Sequence, residues 1–320
     1  MIPRPAIFLV ILAAAAQAEP AVTKTTWRGF DAYKIADGRS EAVIVPALGG
    51  RIMGYGLAGG LNWIWNGEHG AERKENAQFW GGDKTYIGPH TMWAFTMPKT
   101  WPPPAPDVTE HRTEILEGKK LRTTSPTWES YATTIVREYS FDANGEFVVE
   151  QTIQPAPESR LLGAVWEIAQ IIPTDFVYVP LNAKSPYKDN FYWFGWGTPK
   201  DNVGANVISP TLLQITPKTG TVWKLGSHPK RPALAAVKDG MVLVGRAEPQ
   251  EGAYPEGADG AGLSIEVYHH DLLGAGEYTE LEFLSPLRRL DKGASLTTRW
   301  NVHPLPKEAK AEDIDRLLTR

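Results

Sequence analysis

The 320-residue sequence contains no cysteine. That excludes a disulfide framework and leaves nothing to carry a lipid anchor behind an export signal. It also lacks an excess of charge of either sign: 33 Lys and Arg stand against 37 Asp and Glu, a formal net charge of −4, and no basic stripe runs along any segment. Nucleic acid is thereby excluded as the expected partner. Long apolar runs are missing too. The longest, Ala6–Ala16, falls short of the roughly 20 residues a membrane span requires. Helical periodicity is confined to Lys307–Leu318, after Pro304 and Pro306, where Ile314, Leu317 and Leu318 form a narrow stripe. Several catalytic signatures are absent as well. There is no His-Glu-x-x-His pair for zinc and no serine in a nucleophile elbow. The Gly49-Gly50, Gly59-Gly60 and Gly81-Gly82 dipeptides lack the strand–loop–helix setting of a phosphate cradle. The expectation is a protein with no cofactor and no bound metal.

The N-terminus reads as an export signal. Arg4 supplies a positive start, Ala6–Ala16 the apolar stretch, and Ala16-Gln17-Ala18 a small-x-small cleavage site. The expectation is a mature chain of residues 19–320, periplasmic or secreted, forming one domain and not inserted in a membrane once the signal is removed.

The sequence is rich in 12 Trp, 30 Gly and 26 Pro. Glycine and proline cut a chain into short strands and turns. Tryptophan combines a flat apolar face with an N–H donor, which suits stacking on a sugar ring, although any single tryptophan is as well explained by a core. Alternation of apolar and polar residues predicts strands over Val43–Val45, Arg51–Tyr55, Asn62–Trp65, Ser130–Phe141, Phe147–Ile153, Leu161–Ile171, Leu263–His270, Tyr278–Leu284 and Leu296–His303. Asp142–Gly145 and Asp239-Gly240 read as hairpin turns, the second inside a hairpin over Ala235–Arg246. Leu161–Ile171 is apolar on both faces and is expected at a sheet centre. Many short strands with almost no helix make an all-β sandwich or barrel. Trp80–Val108, polar, proline-rich and bearing three tryptophans, reads as a long loop over a site.

Strand parity concentrates chemistry late in the chain. Leu263, Ile265 and Val267 share one face, so Ser264, Glu266, Tyr268 and His270 share the other. Tyr278, Glu280 and Glu282 do the same on the next strand, and the short connection makes the two strands hairpin neighbours. The resulting surface carries three glutamates, two tyrosines and a histidine. It is either an ordinary solvated face or a site of general acid and base chemistry. Two like charges that close need a cation or a retained proton; Arg288, Arg289, Arg246 and Lys84 are the candidate partners. His269 and His270 are adjacent, point to opposite faces and cannot share a ligand.

The segment Ala42-Val43-Ile44-Val45-Pro46-Ala47-Leu48-Gly49-Gly50-Arg51-Ile52 resembles the opening of galactose mutarotase-like domains. Glu282–Leu287, Leu290-Asp291-Lys292-Gly293 and Trp300-Asn301 resemble their closing strands. The resemblance spans nearly the whole mature chain and implies an antiparallel β-supersandwich, to which the periodicity of Lys307–Leu318 adds a short C-terminal helix. Mutarotases of this family reclose an aldose ring with a glutamate base and a histidine acid. Glu266 is similar in position to the base, while Gln170 stands where the acid would be, and glutamine delivers no proton. The resemblance thus implies a carbohydrate ligand and Glu266 as a base, and strand parity adds Glu280 and Glu282 as candidate catalytic carboxyls of an epimerase-like or glycan-cleaving enzyme. Lys84, His90, Trp93, Trp101, Lys224, His228 and Tyr268 are the candidate binding residues, Trp93 and Trp101 as a stacking wall, Lys224 and His228 from a loop. A sugar-binding protein without turnover and an interaction protein of the cell envelope are the alternatives.

Overall fold

The computed structural model describes residues 19–67, 80–93, 107–257, 262–271 and 277–320. The export segment and Trp101 lie outside them. The chain forms β1 (Ala21–Trp27), β2 (Phe30–Ala36), β3 (Ser40–Val45), β4 (Arg51–Leu57), β5 (Asp83–Gly88), β6 (Arg112–Leu116) and β7 (Lys120–Thr124). There follow β8 (Ile135–Phe141), β9 (Phe147–Ile153), β10 (Leu162–Ile171), β11 (Phe176–Pro180), β12 (Tyr192–Trp193), β13 (Ala205–Ser209) and β14 (Leu212–Ile215). The last are β15 (Val222–Ser227), β16 (Ala233–Lys238), β17 (Met241–Ala247), β18 (Ile265–His270), β19 (Tyr278–Leu284), β20 (Arg288–Arg289), β21 (Ala294–Pro304) and the helix α1 (Ala311–Leu318).

These strands make two antiparallel sheets. The first runs β1-β2-β3-β4-β5-β10-β19-β18-β15-β12, with β20 paired to β10; the second runs β13-β14-β11-β16-β17-β21-β9-β8-β7-β6. Their inner faces share one core, in which Ile44, Val165, Ile265 and Phe283 of the first sheet join Tyr139, Val149, Leu243 and Trp300 of the second. Phe283 meets Trp300 edge-on at 5.6 Å, and Tyr55 stacks on Phe147 at 5.1 Å. The architecture is an antiparallel β-sandwich of the expected all-β class with a short C-terminal helix.

Local chemistry explains the elements. Lys238 pairs with Met241 across a two-residue turn in which Asp239 and Gly240 have φ of 50° and 74°, the left-handed pair that matches strand twist. Asp142 accepts from the backbone of Asn144 and Glu146 at 2.9 and 3.0 Å, closing the β8–β9 hairpin. In α1, Asp313 accepts from the Lys310 N–H at 2.9 Å, and Ile314 and Leu318 bury against Tyr178, Ala235 and Val242 on the outer face of the second sheet.

Three expectations are corrected. Ser130–Phe141 is strand only from Ile135, because Glu129–Tyr131 forms a 3-10 turn whose chain reverses at Ala132 with φ 52°. Asn62–Trp65 contributes a single bridge, Ile64 to Ile171, because the Asn62 side chain bonds the Tyr55 and Ile64 N–H groups and tightens a turn. The third is the segment expected as one long loop. Its residues Asp83–Gly88 are a fully buried strand between β4 and β10. Polarity hid this strand, because it carries its polar residues into the interior. Asp83 forms an ion pair with Arg137 of β8, and Thr85 bonds Gln151 of β9.

Candidate functional site

Alternation along β5, β10, β19, β18 and β15 sends every second side chain into the shared core. The others go to the opposite face of the first sheet. Hydrogen-bond register aligns that outer set in rows. One row runs Lys84, Ile168, Glu282, Glu266, Gly226 and Tyr192; the next runs Gln170, Glu280, Tyr268 and Lys224. The β18–β19 hairpin is the one read from the sequence, and its three glutamates, two tyrosines and histidine share one surface.

That surface is not an ordinary wet face. Glu266 and Glu282 are 0% exposed. Lys224 Nζ lies over both, 2.6 Å from Glu266 Oε2 and 2.9 Å from Glu282 Oε2. The Lys224–Glu282 approach is a directed hydrogen bond, whereas neither Glu266 oxygen receives one of good angle. Trp166 Nε1 donates to the same Glu282 oxygen at 2.6 Å. Lys224 is packed over the rings of Trp166, at 4.8 Å, and Phe194, at 5.4 Å. The cation expected from Arg246, Arg288, Arg289 or Lys84 is therefore Lys224. The three arginines are engaged elsewhere: Arg246 with Glu146, Arg288 with the Glu251 carbonyl, Arg289 with Asp291.

Burial, then the neighbouring Glu282 and Glu256 carboxylates, push Glu266 well above the usual carboxyl range although Lys224 opposes them. Lys224 itself is held firmly charged by Glu266 and Glu282 against the effect of burial. One ammonium offsets one carboxylate, so the second carboxyl is the one that retains a proton. Glu280 is different. Only partly buried, it accepts from Gln170 Nε2 at 2.8 Å, and burial followed by Glu282 pushes it up to about 7.

Lys84 lies at the other end of its row. It is buried, and no carboxylate of the described residues comes within ion-pair distance of its Nζ. Burial, then Arg51, lowers its pKa, and it sits 5.6 Å over the Tyr86 ring. Gly81 lets the backbone pass tightly beneath Trp65, with φ 74° and its carbonyl accepting from Arg51 at 2.8 Å. Among the described residues no group of three or more His, Asp or Glu side chains is placed to hold a metal. No helix among them is long and apolar enough to cross a membrane.

Neither a family model nor a curated protein sequence matches the chain. Solved structures do match. A galactose mutarotase-like protein from Lactobacillus casei superposes with a TM-score of 0.59 at 12% identity, over 85% of this chain and 100% of that one. The fold is galactose mutarotase-like. An aldose epimerase homologue from C. elegans matches with a TM-score of 0.52 at 10% identity, over 90% of this chain and 100% of that one. A TPR-domain-containing protein from Parabacteroides distasonis matches with a TM-score of 0.53 at 12% identity; the alignment spans 92% of this chain but only 56% of that one.

On this galactose mutarotase-like scaffold the predicted binding residues do not all reach the site in the expected way: Lys224 is at its centre, whereas Trp93 is enclosed. Lys224 stands on a strand, not in a loop, because Trp223 and Leu225 on either side of it are core residues. His228 follows the end of that strand, against Tyr254 at 4.6 Å. Trp93 is no open stacking wall: its ring is enclosed by Tyr86, Trp128 and Trp166, and its Nε1 donates to the Ile87 carbonyl. His90 is exposed beside Trp166, its backbone N–H donating to Glu256 at 3.1 Å, and burial followed by Lys224 lowers its pKa. Trp166, Glu256 and Phe194 join the site without having been singled out. The parity of Trp166 with Gln170 on one strand was the available signal; Glu256 and Phe194 arrive from connections whose course alternation does not specify.

Proposed function

We propose that this is an exported carbohydrate-active protein, released by cleavage after Ala18, that transfers a proton to or from a sugar oxygen on this face of the first sheet. Glu280 carries the reading. Its carboxyl, pushed up to about 7, exchanges a proton near neutral pH, and the neutral Gln170 amide holds it in place. Glu266 and Glu282, both beneath Lys224, act by orienting that ammonium toward a sugar oxygen. Lys84 supplies a second cation on the same face, and His90 with Glu256 borders it. The epimerase-like fold supports a sugar as ligand by analogy of architecture, which by itself specifies no reaction.

The test uses residues 19–320 with a panel of aldoses, uronates and oligosaccharides, following anomeric exchange by proton NMR and products by chromatography. Glu280→Gln should abolish any chemical change while leaving ligand-induced thermal stabilisation. Turnover that survives in this variant would reject the assignment.

A second reading, a sugar-binding protein without turnover, is favoured by one observation: Glu266 and Glu282 are both covered by Lys224. It predicts stabilisation by a sugar with no chemical change in it, for the wild type and for Glu280→Gln alike.

A further inference from the structure

Beyond Glu280 the same face continues into a row of aromatic side chains. Tyr278 precedes Glu280 on β19, two positions earlier on the same face, and pairs in register with His270, whose ring stacks on it at 5.3 Å and 19°. Trp65 lies against Tyr278 at 4.6 Å, and Tyr268 lies 6.1 Å from it. Tyr268 in turn meets Trp196 at 5.8 Å. Trp196 is 44% exposed.

The backbone that presents Trp196 is fixed. The Phe194 N–H donates to the Lys224 carbonyl at 3.2 Å and the Thr198 N–H to the Val222 carbonyl at 2.7 Å, so both sides of the tryptophan are tied to β15. Gly195 and Gly197 flank it with φ of 74° and 77°, and a Cβ at Gly197 would overlap the Val222 carbonyl. The segment is thus shaped to hold one large aromatic ring in water at a set position, next to a line of rings with polar tips. A rigid amphipathic ring loses little freedom when a ligand stacks on it. Single exposed apolar residues need no explanation; a contiguous row that begins beside a titrating carboxyl and ends at an immobilised, exposed tryptophan does.

We propose that the site takes an oligosaccharide, with one sugar ring at Glu280 and further rings laid along Tyr278, Tyr268 and Trp196. This rests on the carbohydrate reading above and adds the length of the ligand to it. A free monosaccharide would fill the Glu280 end and leave Trp196 untouched.

Isothermal titration of residues 19–320 compares glucose, xylose, mannose and galacturonate with the corresponding linear hexamers, for the wild type, Trp196→Ala and Trp196→Phe. The expected result is a hexamer bound at least about tenfold more tightly than its monomer. Trp196→Ala should lose about that factor, as for removal of one stacked ring, and Trp196→Phe should keep part of it. Monomer affinity and thermal midpoint should be unchanged, since the side chain is largely in water. Equal affinity for monomer and hexamer, or a hexamer indifferent to Trp196→Ala, overturns the proposal while the carbohydrate reading stands. Failure of every monomer and hexamer to bind would sink both.

Discussion

Glu266 of β18 stands directly opposite Glu282 of β19, and both carboxyls converge on one ammonium, Lys224 Nζ, at 2.6 and 2.9 Å. Two acids that meet out of water are tolerable only while that cation is present, so this pair is organised around a single lysine.

Replacing that lysine should therefore be costly. Lys224→Met leaves two buried carboxyls without their cation, and the expected loss is about 3–5 kcal/mol of unfolding free energy in urea. Adding Glu266→Gln to the same chain should restore part of the loss. A Lys224→Met protein as stable as the wild type would mean that the triad contributes nothing to the fold.

Stability should fall as pH rises through the range in which Glu280 titrates. Its folded carboxyl is pushed up to about 7, while an unfolded glutamate titrates near ~4.3. The folded state therefore binds the proton more tightly. The contribution is fully present below ~4.3 and is lost as pH climbs to about 7. Glu280→Gln should flatten this part of the curve of thermal midpoint against pH. An unaltered slope would contradict the elevated pKa.

Trp166 fixes Glu282 by donating from Nε1 at 2.6 Å. Trp166→Phe keeps most of the ring and removes the donor. The expected cost is about 1–3 kcal/mol, the range for depriving a buried acceptor of its partner, measured by chemical unfolding. A loss under a few tenths would show that Lys224 alone satisfies the carboxylate.

Gly81 has φ 74°, and a Cβ there would overlap the Trp65 carbonyl. Gly81→Ala should destabilise by about 1–3 kcal/mol through backbone strain. It should also displace the carbonyl that accepts from Arg51. Circular dichroism melts read the effect, and an unchanged midpoint would argue against tight passage of the chain at this point.

Alternation in the sequence was enough to pair β18 with β19 and to gather Glu266, Tyr268, His270, Tyr278, Glu280 and Glu282 on one surface, because side-chain direction in a strand is set by parity alone. The β16–β17 turn was legible for a similarly local reason: Asp239-Gly240 tolerates positive φ. The β5 strand was not legible. Asp83, Lys84 and Thr85 look like loop residues until Arg137 and Gln151, more than fifty positions away, satisfy two of them inside the protein. Nor did the sequence say that Lys224, not an arginine, would sit between the glutamates, since β15 joins β18 only through the order of strands in the sheet. Local patterning determined which residues share a face. Which faces become dry, and which charges meet there, was decided by long-range pairing, because burial and charge neutralisation depend on neighbours that no short stretch of chain contains.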